Sequence, residues 1–158
     1  MALRGAALTE ISTTAEAHER DAIPAAWAIH TDPGVTSPET QPLPRAVTRK
    51  PLKDKSPAEW AYERLILYIK NFEDQLDAEH EVAMGFAADS TGALRIEGIG
   101  YFDPDIVTFY GSDETGIRTQ LIQHVSQLNV RLRALPRPSP QQEPRRIGFR
   151  LVADLEQD

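Results

Sequence analysis

The 158-residue chain contains no cysteine, which excludes a disulfide framework, a thiolate nucleophile and thiolate metal ligands. It has no apolar run near the roughly 20 residues that a membrane-spanning helix needs. The short run Ala6-Ala7-Leu8 breaks at Thr9 and Glu10, too soon for the core of a signal peptide. These absences set the expectation of a soluble cytoplasmic protein with no membrane contact. Basic charge is also scarce. Residues 1–55 carry seven basic and seven acidic side chains, so the net charge of −7 falls wholly on residues 56–158, with ten basic and seventeen acidic groups. A domain that holds nucleic acid by general phosphate attraction needs a basic balance, so any such site here must be local.

Catalytic motifs are missing as well. Ser90, Ser112 and Ser126 lack a Gly-x-Ser-x-Gly elbow, and neither a Gly-x-x-x-x-Gly-Lys loop nor a His-Glu-x-x-His pair occurs. Asp103 and Asp105 flank Pro104 in ordinary turn chemistry, with His124 near them only if the strands curl. No catalytic residue, metal or cofactor is expected, and the chain reads as non-enzymatic.

Proline supplies the domain boundary. Seven of the twelve prolines lie between Pro24 and Pro57, four more between Pro136 and Pro144, and only Pro104 falls within the patterned region. Residues 1–55 show no sustained period of 3.6 or 2 and read as a flexible, mostly disordered arm; residues 56–158 read as the domain. Within the arm, residues 23–29 form an apolar patch around Trp27, a candidate docking peptide for a protein partner.

The domain opens on the strongest local signal in the chain. Ser56 can cap a helix, Pro57 suits its first position, and Glu59 stands three residues after the cap. Ala61, Leu65, Tyr68, Ile69, Phe72 and Leu76 then recur every three or four residues and predict one buried face, with Glu63, Lys70, Glu73, Asp74 and Asp77 opposite. The helix is expected to end near Glu79 or His80, with His80 at its C-terminal dipole. Strands follow: Val82 to Phe86, a turn at Asp89 to Gly92, Leu94 to Ile99 with a bulge at Gly98 or Gly100, Ile106 to Tyr110, Arg118 to His124, and Asn129 to Leu135. Alternation at Ile147, Phe149 and Leu151 predicts a sixth strand. Paired with Asn129 to Leu135, it would set Arg131, Arg133, Arg146 and Arg150 on one face, a candidate phosphate site.

Gly98 to Val107 resembles the strand-to-strand turn of the first Sm motif, and Leu121 to Ser126 is similar to the second, where a histidine ends the fourth strand. The resemblance to Sm-like proteins of the Hfq type covers residues 56–135. It implies an oligomer that binds RNA near His124 and Gln123. Asp105 stands where that family carries a stacking aromatic, and Gln123 where it carries a lysine. The block from Ser56 to Arg150 also resembles an uncharacterised bacterial family of unknown function.

The expected fold is therefore α+β: an N-terminal helix packed on a strongly bent five- or six-stranded antiparallel sheet, an Sm-like or SH3-like barrel. Its expected role is that of a homo-oligomeric binding module for RNA or a nucleotide. The alternative is a protein-interaction or assembly module working through the arm or an exposed strand edge.

Overall fold

The computed structural model describes residues 24–86 and 92–157. They form α1 (Arg45–Thr48), α2 (Pro57–Asp74), β1 (His80–Phe86), β2 (Arg95–Phe102), β3 (Ile106–Ser112), β4 (Arg118–His124), β5 (Val130–Pro136) and α3 (Gly148–Glu156), with 3-10 turns at Pro38–Thr40, Leu52–Asp54 and Val125–Gln127.

Helix α2 starts where the sequence places it. The Ser56 hydroxyl oxygen accepts the Glu59 N–H at 3.0 Å and donates to Asp103 Oδ1 at 2.5 Å, while the Ala58 N–H donates to Pro104 O at 3.0 Å. The cap therefore also fixes the helix to the β2–β3 turn. The helix stops at Asp74, earlier than its periodicity predicts. Asp77 Oδ1 accepts the Glu79 N–H at 2.8 Å, an Asx turn that swings the chain out of helical geometry. His80 consequently opens β1 instead of closing the helix, with its Nδ1 at 2.6 Å from Asp77 Oδ1. That hydrogen bond holds the Asp77 carboxyl below its ordinary pKa.

The buried side of α2 carries Ala58, Ala61, Ile66 and Ile69, but Tyr68 is exposed. Two carboxylates expected on the outer face are buried: Glu63 is 6% and Glu73 4% exposed. Each has a partner outside α2 that helical spacing does not reveal. Lys55 Nζ donates to Glu63 Oε1 at 2.5 Å and also to the Val47 carbonyl. Burial raises the Glu63 pKa, and Lys55 opposes that shift. Glu73 accepts backbone N–H groups at the start of α3.

Five antiparallel strands form two sheets, β1–β5 and β2–β3–β4. Met84 and Leu94 join them through an isolated bridge, with N–H to O distances of 2.8 and 2.7 Å. The β2–β3 register shifts between Ile96 and Gly98, the bulge that the glycines predict. Opposite it, a Cβ on Gly111 would lie 2.1 Å from the Arg95 carbonyl oxygen, so only glycine fits. Val82, Met84, Ile96, Val107 and Phe109 face α2 and, with Ile66, Ile69 and Leu151, make the core.

The architecture is α+β as expected, but it is not a closed barrel: β4 and β5 do not pair with each other. The predicted sixth strand is helix α3. Ile147, Leu151 and Leu155 are four residues apart and all pack on the core. So short a run satisfies periods of 2 and 3.6 alike, and packing against α2 selects the helix.

Part of the segment expected to be an arm lies along α2. Val47 is wholly buried, and the side chains of Asn71 and Gln75 donate to the Thr36 carbonyl at 3.0 and 3.2 Å. Residues 1–23, including Ile23 of the apolar patch, and most of the expected Asp89 to Gly92 turn lie outside the described residues. Among the described residues no helix is long and apolar enough to cross a membrane.

Candidate functional surfaces

Among the described residues each sheet ends in a strand with one unpaired edge, β4 in one and β5 in the other. The Val125 N–H donates to Asp105 O at 2.8 Å in continuation of the β3–β4 ladder. By antiparallel alternation the N–H groups of Thr119, Leu121 and Gln123 face β3, whereas those of Gln120 and Ile122 face the open edge. On the other sheet Arg137 N–H donates to Glu79 O at 2.8 Å, so Leu132 and Ala134 present the free N–H groups of β5. Pro136 ends that edge, where a missing donor costs no ladder bond.

The outer face of the three-stranded sheet carries Phe102 on β2 and Ile122 on β4, with Gln120 and His124 flanking Ile122. Phe102 is 75% and Ile122 63% exposed. The ring of Tyr110 lies across Gly98 and Gly100 on the same face. On β4 the predicted alternation holds, with Gln120, Ile122 and His124 exposed and Thr119, Leu121 and Gln123 partly covered. The Gln123 side-chain oxygen is buried with no hydrogen-bond partner among the described residues.

His124 closes β4. Its Nδ1 accepts the Ser126 N–H at 3.1 Å and lies 2.8 Å from the Ser126 hydroxyl, and its Nε2 is 3.0 Å from Asp105 Oδ2. Because Nδ1 accepts a backbone proton, the neutral ring carries its own proton on Nε2 and donates it to Asp105. Asp103 is occupied by Ser56, so the two aspartates flanking Pro104 do not converge on the histidine. Among the described residues no group of three or more histidines or carboxylates is placed to hold a metal. The His124 arrangement instead caps the turn at Val125–Gln127, with Gln127 Oε1 accepting the His124 N–H at 3.1 Å.

The four arginines expected on one face are dispersed. Arg131 and Arg133 alternate on the exposed side of β5, pairing in register with Gly85 and Ala83 of β1 rather than with the C-terminal segment. Arg146 donates from its two terminal nitrogens to His80 O at 2.6 Å and Asp77 O at 2.7 Å, taking the role at the end of α2 that the sequence assigns to His80. Arg150 lies exposed on α3. The phosphate site required a strand at 145–152, and the helix there removes it.

Trp27 is 72% exposed and stands on the rim of a groove of about 810 Å³ between its own segment and α2. Trp60, Arg64, Leu67 and Tyr68 form the opposite wall. The Arg64 guanidinium lies 4.8 Å from the Trp60 ring centre, with Lys55 at 4.8 Å from the same ring. Tyr68 donates its hydroxyl to the Glu39 carboxylate, which pushes its pKa up to about 12 and lowers that of Glu39. Sequence reasoning missed Trp60 and Arg64 as surface residues. The available signal was the spacing of Trp60, Arg64 and Tyr68, which puts a second aromatic stripe on α2 apart from the core stripe.

No curated protein and no solved structure matches the chain. Residues 50–150, which span α2, all five strands and the start of α3, match DUF6173, a family of unknown function, and the chain belongs to that family.

Proposed function

We propose that the chain is a non-enzymatic assembly module whose copies join through strand edges, β4 of one protomer beside β5 of the next. One observation carries this reading: both edges are unpaired among the described residues, and each strand is seven residues long. The outward-facing backbone groups of Gln120 and Ile122 on one edge and of Leu132 and Ala134 on the other are a template for another strand. Two different edges meeting make a heterologous contact, which repeats into a ring or a filament. The exposed Ile122 adds apolar area on β4 itself. The order of one helix followed by five strands is the feature behind the Sm-like resemblance. The absence of cysteine fits a cytoplasmic site of action.

Sedimentation velocity of the full chain at micromolar concentration tests the proposal, with an oligomer as the expected species. Ile122→Pro removes a donor from the open edge without removing a β3–β4 bond, so it should yield a folded monomer. A wild-type monomer overturns the reading.

A second reading, binding of RNA or a nucleotide, draws support from Arg131 and Arg133. Both are exposed on β5 and make no ion pair among the described residues. Replacing both by glutamate should abolish RNA retention on a filter; unchanged retention removes that reading.

A further inference from the structure

Trp27 and α2 enclose a groove whose lining combines aromatic rings with a guanidinium. Its volume of about 810 Å³ lies within the range of roughly 300–1,000 Å³ typical of small-molecule sites. Its walls are aromatic and aliphatic, from Trp27, Leu43, Trp60, Leu67 and Tyr68. A smaller cavity of about 240 Å³ shares Leu43 and Leu67 with it and runs on along α2 past Lys70, Asn71 and Asp74.

The polar groups are few and unequal. Glu39 is engaged by the Tyr68 hydroxyl. Arg64 stacks on Trp60 and donates Nε–H to the Trp60 carbonyl at 3.3 Å, and it makes no ion pair among the described residues. On a chain of net charge −7, this guanidinium is held against an aromatic ring, with its terminal nitrogens free of any carboxylate among the described residues. Partial burial also lowers its pKa, the effect of a cation losing water without gaining a countercharge.

We propose that this groove binds a small amphipathic anion, a flat apolar body lying between Trp27 and the Trp60–Tyr68 wall with its carboxylate, sulfonate or phosphate on Arg64. The planar guanidinium offers two parallel donors to such an oxyanion while keeping its face on the indole. The site is independent of the strand edges and of any oligomer they form.

Anilinonaphthalene sulfonate has this chemistry and reports binding by fluorescence; phenylnaphthylamine is its counterpart without the anion. The full-length protein should bind the sulfonate saturably with one site per chain, and Arg64→Gln should weaken it by about tenfold, the loss of one charge-assisted pair. The neutral probe should bind Arg64→Gln and wild type alike, and Trp27→Ala should weaken both probes. Near-UV circular dichroism confirms that each variant stays folded. Non-saturable binding, or a sulfonate affinity that Arg64→Gln leaves unchanged, overturns the proposal.

Discussion

Glu73 on α2 accepts the backbone N–H of Gly148 on its Oε1 at 2.6 Å, across 75 residues of sequence. The same carboxylate accepts the Ile147 N–H at 2.9 Å on Oε2. Helix α3 has no side-chain cap of its own, since Ile147 occupies that position. A buried carboxylate from another helix replaces the missing cap and favours the positive end of the α3 dipole. Glu73→Ala should therefore destabilise the domain by about 1–3 kcal/mol, the cost of leaving buried donors unsatisfied. Urea denaturation measures this, and a midpoint equal to wild type would show the cap to be dispensable.

Gly148 is constrained by the same contact. A Cβ there would lie 2.7 Å from Glu73 Oε1 and 2.8 Å from the Lys70 Cα. The Lys70 Cα belongs to the helix backbone and cannot yield as a flexible side chain can. Gly148→Ala should cost about 1–3 kcal/mol by overpacking, although alanine is the better helix former. A stabilised variant in thermal unfolding would mean that α3 sits further from α2.

Lys55 and Glu63 form a buried pair at 2.5 Å, with side chains 1% and 8% exposed. Removing one partner leaves the other charge uncompensated, so Lys55→Met alone should cost about 3–5 kcal/mol. Lys55→Met with Glu63→Leu should cost less than Lys55→Met alone. A double-mutant cycle on unfolding free energies decides this, and additive losses would mean that the two charges do not interact.

Arg146 and Arg150 should separate cleanly. Arg146→Ala removes two hydrogen bonds to carbonyls beyond the end of α2, a loss of about 1–3 kcal/mol. Arg150→Ala touches an exposed position and should stay within about 0.5 kcal/mol of wild type. Equal effects in denaturant titrations would contradict the placement of the C-terminal segment.

Tyr68 makes stability pH-dependent at the alkaline end. Its hydrogen bond to Glu39, with burial second, raises its pKa to about 12. The stabilisation from this bond is complete below the ordinary tyrosine value of about 10 and is lost as pH rises from there through 12, because the folded state binds the proton more tightly. A 295 nm titration of wild type minus Tyr68→Phe should show one tyrosine ionising near 12. A difference curve centred near 10 would place the Tyr68 hydroxyl free of Glu39.

The five strands and the start of α2 were legible because their signals are local. Ser56, Pro57 and Glu59 sit within one turn, and the alternation of β3, β4 and β5 needs only neighbouring residues. The end of α2 was not legible, because the periodicity continues to Leu76 while an Asx turn at Asp77 competes with it. The character of residues 147–155 was not legible either: Ile147 and Leu151 fit both periods, and only the Glu73 cap and the α2 surface choose between them. The candidate phosphate face failed for that reason. Trp27, read as a candidate docking residue, is exposed, but its neighbours Trp60 and Arg64 were hidden within a helix read for its core stripe alone.

By itself the sequence determined the α+β class, the order of α2 and the five strands, the bulge near Gly98 and the alternation on β4, all consequences of side-chain period and turn chemistry. Tertiary structure alone decided which strands pair, which edges stay open and where the charges go. Glu63 and Glu73 are buried because Lys55, just before α2, and the α3 backbone, 75 residues further on, reach them; neither partner lies on α2, so packing and not helical spacing supplies it.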